Sequence, residues 1–445
     1  MTLDERLQNV SVIGAAGKMG SGIAALIAQE MAKLKLKPEN KDMIYRLNLI
    51  DISEKALDGL KSYMKIQFMK SAEKSIVQLR DLYKNQTDLV ENSEIVNAYV
   101  DAAYQVLNFG TDLSLAKSSR LVFEAIIEDD KVKTKVYKTL KKLCPSDTLF
   151  LTNTSSIPIG FIDDKVGLGG RLIGYHFYNP PVVQRLVEVI SAKNTLNELK
   201  DVAAELGKRL RKTLVPANDI SGFIGNGHFM RDGLYAIGEV ERLKGRYKYP
   251  GAIYIMNKIT QDFLLRPMGI FQLIDYVGID VFQCILKVMR IHLGDGTLKS
   301  KLVDKMVRSG IKGGQYADGS QKDGFLKYDK NRPVGIYDIR KQEYLVIADD
   351  WKKKIDTKIG AMPPGFVPWK ILLGDAKKED KLKLHFDNLK KMNTFGSELA
   401  ISFFNKTREI GEKMVKDGVA SSANDVNAVL TNGFYWLYGP INTYL

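Results

Sequence analysis

Strand and helix patterns alternate through the first half of the chain. "NVSVIGAAG" (9–17) reads as a strand running into a glycine turn, "SGIAALIAQEMAKL" (21–34) as a helix and "YRLNLIDIS" (45–53) as a second strand. "RLVFEAI" (120–126), "TLFLTN" (148–153), "RLIGYHF" (171–177) and "LVEVI" (186–190) are further short apolar runs, separated by helix-like segments such as "KTKVYKTLKKL" (133–143). Alternation of this kind predicts an α/β unit with a parallel, doubly wound sheet. From Ile52 to about Gly110 a lysine-rich stretch leans to helix, including "KALDGLKSYMKIQFMKSAEKSIVQLRDLYKN" (55–85), and predicts a helical arm.

After Pro216 the texture changes. From Asp219 on, strand signals become rare and amphipathic helical patterns dominate, which places a boundary near 218 and predicts an all-α second half. That half carries a weak internal repeat at an offset of 170: "IMNKITQDFLLRPMGI" (255–270) lies over "DVNAVLTNGFYWLYGPI" (425–441). The offset equates Glu239 with Glu409, Asn257 with Asn427 and Gly269 with Gly439. The expected division is therefore 1–218, 219–334 and 335–445, the last two being related helical domains. The loop-rich segment "GGQYADGSQKDGFLKYDKNRPVG" (313–335) would separate them.

Two positions break the apolar runs. His176 ends "RLIGYHF" and is followed at once by Asn179-Pro180-Pro181, which must stop the strand. Glu188, twelve residues on, sits inside "LVEVI" and shares a strand face with Leu186 and Ile190 rather than with solvent-type residues. Taken singly, His176 reads as a satisfied core histidine and Glu188 as a strand-edge carboxylate.

"VSVIGAAGKMGSGIAALIA" (10–28) follows a strand and opens a helix. Gly14, Gly17 and Gly20 permit a tight turn, close backbone approach and close helix packing, and the helix N-terminus then faces a pyrophosphate, as in a Rossmann-type dinucleotide site. The spacing G-x-x-G-x-x-G is one residue longer before the second glycine than the common form. Asp51 ends the strand "YRLNLID", where a carboxylate can take ribose hydroxyls and repel a 2′-phosphate, which predicts NAD rather than NADP. It lies 31 residues after Gly20, the extra length being the polar loop "KLKPENKDMI". The competing role for Asp51 is a cap for the helix that opens at "SEKAL".

Composition narrows the field. The 445 residues are 45% hydrophobic and 27% charged, an ordinary globular balance. Cys144 and Cys284 lie far apart and make no metal or redox spacing, which predicts a reducing, cytoplasmic setting. The start "MTLDERLQNVSVIG" carries acidic residues and runs directly into a strand, so no signal peptide is expected, and no apolar run is long enough to span a membrane. The net charge of +14 favours anionic partners. No zinc spacing, RNP-type motif or Arg-rich helix points to nucleic acid.

Together these stretches resemble the L-3-hydroxyacyl-CoA dehydrogenase family. "GAAGKMGSGIA", "VFEAIIEDDKVKTKVYKTL", "LTNTSSIPI", "GYHFYNPPVVQRLVEVI" and "DISGFIGN" carry the resemblance in the family's order, and "RPMGIFQLIDYVGID" adds a sixth in the helical half. The spacing Ser155–His176–Glu188–Asn226 fits the family site without a gap. The resemblance implies that His176 is the general base, that Glu188 pairs with it, and that Ser155 and Asn226 are the two polar site residues that hold the substrate. It implies Glu128, Lys133 and Asn179 on the nicotinamide side of NAD, with Gly14, Gly17, Met19, Gly20 and Asp51 on the rest of the cofactor. Lys74 falls where a lysine meets the CoA nucleotide, on an arm whose length differs from the family's. The chemistry suits the residues: an imidazole titrates near working pH, and a buried carboxylate on its other nitrogen fixes the tautomer.

Three departures stand out. Gly227 replaces the arginine of F-I-x-N-R, "QDFLLRPMG" lacks the glycines usual before P-M-G, and "GSQKDGF" departs from the K-T/S-G-x-G-F turn. The implied activity is NAD-dependent oxidation of an L-3-hydroxyacyl-CoA, as in fatty-acid β-oxidation or related acyl-CoA degradation. No stretch resembles an enoyl-CoA hydratase domain, so a separate hydratase and thiolase would complete a pathway. Two other readings stay open: a β-hydroxyacid dehydrogenase acting on a free acid, typically with a lysine base, and a non-catalytic NAD-binding relative of the lens-crystallin kind. The doubled helical half is expected to form an internal pseudo-dimer, with homo-oligomers possible. Its second copy has Gly396 where the first has Asn226.

Overall fold

The computed structural model describes residues 1–316 and 319–445. Ala317 and Asp318, inside the 313–335 segment, lie outside the described residues. The chain falls into two compact units, Met1–Asp219 and Ile220–Leu445.

The first unit is built on an eight-stranded sheet in the order β3-β2-β1-β4-β5-β6-β7-β8. The strands are β1 (Asn9–Ile13), β2 (Arg46–Ile50), β3 (Leu107–Gly110), β4 (Leu121–Glu124), β5 (Leu149–Thr152), β6 (Leu172–Phe177), β7 (Leu186–Ser191) and β8 (Thr213–Asn218). All neighbours run parallel except β6 and β7. The order reverses at β1, so the crevice beyond the C-terminal ends of β1 and β4 is where an open sheet of this kind takes its ligand.

Three details differ from the sequence reading. The sheet is not wholly parallel: the connection between β6 and β7 is a short loop rather than a crossover helix, so β7 returns antiparallel. The helical arm ends before 110, because Leu107–Gly110 pairs with β2 as an edge strand. "TLVPAN" is the other edge strand, β8, where Pro216 is tolerated on an outer strand. The arm itself comprises helices Glu54–Lys74, Ile76–Leu82 and Asn92–Gln105. Leu57, Leu60, Met64, Phe68 and Ala72 form its buried stripe at helical spacing and join the core with Tyr99, Val100 and Ala103.

The second unit is helical, with one exception. Leu326–Asp329, Arg332–Asp338 and Glu343–Val346 form a three-stranded antiparallel sheet. An all-α region is thus corrected to a helical region with a small meander, and position 334 falls inside its central strand rather than in a loop. The helix Gly225–Lys258 is broken at Lys248 (φ 57°), just before Pro250. It packs on the helix Phe395–Lys416, whose first residue is its own at the offset of 170. Among the described residues no helix is long and apolar enough to cross a membrane, and no cluster of His, Cys, Asp and Glu could hold a metal ion.

Candidate active site

The glycine turn links β1 to the helix Lys18–Lys35. Gly14 has φ +79°, and a Cβ on it would lie 2.6 Å from the Ala125 carbonyl oxygen at the end of β4. A Cβ on Gly20 would lie 2.0 Å from the Gly14 oxygen, so neither position admits a side chain. Gly17 caps the helix without any side-chain hydrogen bond, and no acidic residue stands in the first turn. These are the features a pyrophosphate needs at a helix N-terminus. Met19, half-buried in that turn, packs on the core.

Asp51 follows β2 and accepts the Ala16 N–H on Oδ2 at 3.0 Å, which ties the second strand to the glycine turn. It is not the helix cap: Ser53 takes that place, accepting the Ala56 N–H at 3.2 Å. These groups fit a dinucleotide with its pyrophosphate at the glycine turn and its adenosine ribose at Asp51. A dinucleotide held this way would carry its nicotinamide half toward β4 and β5.

That side holds a dense polar cluster. Glu128 Oε1 accepts the Thr154 hydroxyl (2.7 Å), the Ser155 N–H (2.9 Å) and hydroxyl (3.2 Å), and the Ser156 N–H and hydroxyl (both 2.8 Å). Lys133, 1% exposed, places Nζ 3.5 Å from Glu128 Oε2 and 2.6 Å from Glu124 Oε1. Burial works to raise the Glu128 carboxyl, but the Lys133 charge and the Thr154, Ser156 and Ser155 hydrogen bonds outweigh it and hold it below its ordinary value. Burial opposes the Lys133 charge as well, yet Glu124 and Glu128 keep the ammonium above its ordinary value. The sequence reading found Glu128, Lys133 and Ser155 but missed Glu124, a fully buried carboxylate that also accepts the Thr152 hydroxyl (2.7 Å) and the Ile126 N–H (2.8 Å). The signal was there: a glutamate inside the apolar run "LVFEAI", of the same kind as Glu188.

His176 and Glu188 meet through strand register. They are direct cross-strand partners in the antiparallel β6–β7 pair, so both side chains project from one face. His176 Nδ1 lies 3.0 Å from Glu188 Oε2, with the histidine 7% and the glutamate 0% exposed. Tyr178, which sequence reasoning passed over, donates its hydroxyl to the same oxygen at 2.7 Å and sets its ring 5.0 Å from the imidazole. Burial, then the Glu188 charge and hydrogen bond, push the Tyr178 hydroxyl well above its ordinary range, so it stays a donor. The Phe177 N–H is held by Asn153 Oδ1 at 2.8 Å, fixing the end of β6 to the segment that carries Ser155. Asn179 follows on the same connection.

The remaining candidates stand on other elements. Lys74 is the exposed last residue of its arm helix and takes no part in the contacts above. Asn226 belongs to the second unit, in the first turn of helix Gly225–Lys258. Where an arginine was expected at 227, Arg231 one turn on donates to the Gly227 carbonyl at 2.7 Å, its guanidinium 3.6 Å from where a Gly227 Cβ would be. The other histidines are structural at His228 and His385, whose ring Nε2 atoms meet the Thr407 and Phe263 carbonyls. A groove away from these residues runs along helix Asp130–Leu143 and is lined by Lys131, Lys135, Lys138, Lys142 and Lys165.

Residues 9–220 match the 3-hydroxyacyl-CoA dehydrogenase, NAD binding domain, and residues 256–328 match the 3-hydroxyacyl-CoA dehydrogenase, C-terminal domain. The chain belongs to the 3-hydroxyacyl-CoA dehydrogenase family. It is 31% identical over 312 residues to a probable 3-hydroxybutyryl-CoA dehydrogenase of Deinococcus radiodurans, covering 70% of this chain and 98% of that one. It is 29% identical over 303 residues to the probable 3-hydroxybutyryl-CoA dehydrogenase of Bacillus subtilis, covering 67% and 92%. Among solved structures, 3-hydroxybutyryl-CoA dehydrogenase from Escherichia coli K12 superposes over 98% of this chain and 90% of its own, with a TM-score of 0.62. At 22% identity that likeness speaks to the fold: a Rossmann-type sheet followed by a helical region. The chain is an NAD-dependent enzyme of this family, and the family implies an acyl-CoA substrate.

Proposed function

We propose that this enzyme oxidises the 3-hydroxyl of an L-3-hydroxyacyl-CoA to a ketone, with His176 as general base and Glu188 as its partner. The observation that carries the proposal is the His176–Glu188 contact of 3.0 Å, buried and braced by Tyr178. NAD, when bound, accepts the hydride from C3. His176 presents Nδ1 to Glu188, and Nε2 is the nitrogen proposed to take the hydroxyl proton as C3 becomes a carbonyl. The Glu188 charge stabilises the imidazolium that results, and its burial keeps water from replacing that interaction. Ser155 and Asn226 are proposed to hold the C3 oxygen and the thioester region. Ser155 is already oriented by Glu128, which anchors its backbone and hydroxyl. Lys74 is proposed to meet the CoA nucleotide.

A lysine base, as a free-acid dehydrogenase would use, is not favoured at Lys133, whose charge is held by two carboxylates. A cytoplasmic location goes with the proposal, supported by only two, widely spaced cysteines. Separate hydratase and thiolase partners belong to the same proposal. The deciding experiment follows NADH consumption with a panel of 3-oxoacyl-CoA thioesters, cyclic and branched ones included. Turnover of the thioesters supports the reading. NAD binding without turnover of any of them would leave the crystallin-like alternative, and turnover of free 3-oxo acids alone the other.

A further inference from the structure

We propose that Lys212 is a positioning residue for the cofactor and for the His176–Glu188 pair, clamping the β6–β7 connection against the helix that follows the glycine turn. The inference rests on the reaction proposed above. Residues 178–185 join the two strands that carry the pair, and they include Tyr178, which braces Glu188, and Asn179. Lys212 stands immediately before β8, whose first residue, Thr213, pairs with Leu186 at the start of β7. From there its Nζ donates to the Pro181 and Gln184 carbonyls, both at 2.6 Å, and so closes the turn from inside. The Lys212 backbone is itself fixed, its N–H donating to the Gly207 carbonyl at 2.8 Å.

The opposite side of the same turn is held by a second, independent contact. The Pro181 ring seats on Gly22, the fifth residue of helix Lys18–Lys35, where a Cβ would come within 2.7 Å of Pro181 Cδ. The connection is therefore gripped between an ammonium on its carbonyls and the cofactor-side helix on its ring. Among the described residues Lys212 has no carboxylate partner in an ion pair, and its Nζ lies 5.9 Å from the centre of the Phe177 ring, beside His176. Burial lowers its ammonium to about 8. An uncharged side chain would fill this space without that desolvation cost. What the charge adds is two strong, directed hydrogen bonds to one short segment, and that segment holds Tyr178 and Asn179 in place.

The test compares Lys212→Met and Lys212→Arg with the parent chain. Three quantities are read: NAD affinity by calorimetry, kcat with 3-hydroxybutyryl-CoA, and amide exchange at Val183 and Gln184 without cofactor. Lys212→Met is expected to weaken NAD about tenfold, the size of one lost charge-assisted hydrogen bond. It should lower kcat by a further factor of about ten, as small misplacements of reacting groups do, and speed exchange at both amides. Lys212→Arg, which keeps two donors, should recover most of the loss. A Lys212→Met chain that melts lower yet keeps the parent's NAD affinity and kcat would overturn the proposal. If Lys212→Met does not fold, Lys212→Gln is judged on the same quantities. If the parent proves inactive on 3-hydroxyacyl-CoA, the proposed reaction fails, while NAD affinity and amide exchange still decide the clamp.

Discussion

Replacing Glu188 with Gln isolates the charge from the geometry of the catalytic pair. Glutamine has the same length and keeps an oxygen where Oε2 accepts Tyr178 at 2.7 Å and faces His176 Nδ1 at 3.0 Å. The side chain is 0% exposed, so no water enters to compensate. What disappears is the attraction between carboxylate and imidazolium in the transition state. Two unit charges ~4 Å apart interact by about 4 kcal/mol at an effective dielectric near 20. The retained hydrogen bond returns part of that, leaving a barrier increase of about 2–4 kcal/mol, or roughly 30- to 1000-fold in kcat. The assay is NADH formation at saturating NAD and 3-hydroxybutyryl-CoA, with NAD affinity measured alongside. Affinity should stay within about threefold, because the glycine turn and Asp51 are untouched. A Glu188→Gln enzyme with kcat within threefold of the parent would refute the assignment of Glu188, and with it the reason for a buried carboxylate at this register.

His176→Gln should leave NAD binding nearly intact and cut turnover by roughly two to four orders of magnitude, the scale of a general base; near-parental turnover would sink the mechanism. Asp51→Ala should weaken NAD and narrow its advantage over NADP, as read by the ratio of kcat/KM for the two cofactors, and a parent that already prefers NADP contradicts the ribose role. Lys212 is charged in both folded and unfolded states below about 8 and neutral in both above 10.5; between these values the unfolded chain binds the extra proton. The melting temperature of the parent relative to Lys212→Met should therefore rise as pH goes from about 8 to about 10.5, and a flat difference would contradict the depressed value. A chain ending after Val346 should expose apolar helix faces and aggregate or dimerise on a sizing column, and one that stays monomeric and fully active would refute the pseudo-dimer proposed for the helical half.

What could be read from sequence was whatever is local. The glycine turn is contiguous, and the strand–turn–helix around it is fixed by residues within thirty positions of one another. His176 and Glu188 were legible because each breaks an apolar run, although their pairing is a matter of antiparallel register that no periodicity reveals. Glu124 broke a run in the same way and was passed over, because its partners come from β5 and from the helix Asp130–Leu143. The edge strand "LNFG" is four residues long and half-buried throughout, so it carries no alternation to detect. The meander of the second unit has equally short outer strands: "LKYD" buries only Leu326, "EYLV" is mostly exposed, and only the central strand buries a continuous run.

The repeat in the second unit rests on more than its three sequence matches. At the same offset of 170, Leu265 and Tyr435 are both non-glycine residues with left-handed backbone, φ 50° and 55°. Gly269 packs so closely on Asn257 that a Cβ would fall 2.2 Å from its Oδ1, and Gly439 does the same with Asn427 at 2.1 Å from Cγ. Each asparagine then accepts a backbone N–H just beyond the glycine, from Gln272 at 3.1 Å and Ile441 at 3.0 Å. Two strained positions and two amide-on-glycine contacts in register are hard to obtain from two unrelated helical segments. The equivalent residues Arg266 and Trp436 also touch, the guanidinium 3.8 Å over the indole, while Arg266 reaches Asp232 at 2.7 Å and Thr407 at 3.1 Å. Contact between a residue and its own counterpart is what two copies packed about a local two-fold axis, as in an isologous dimer, would give. The counterpart of Asn226 is closed off: a Cβ on Gly396 would lie 2.6 Å from Ile359 and 2.9 Å from Phe263. One copy thus keeps room for a polar side chain at this position, and in the other it is filled by core. That asymmetry is what a supporting half would have, and it is why truncation should cost the first copy its cover rather than remove a second site.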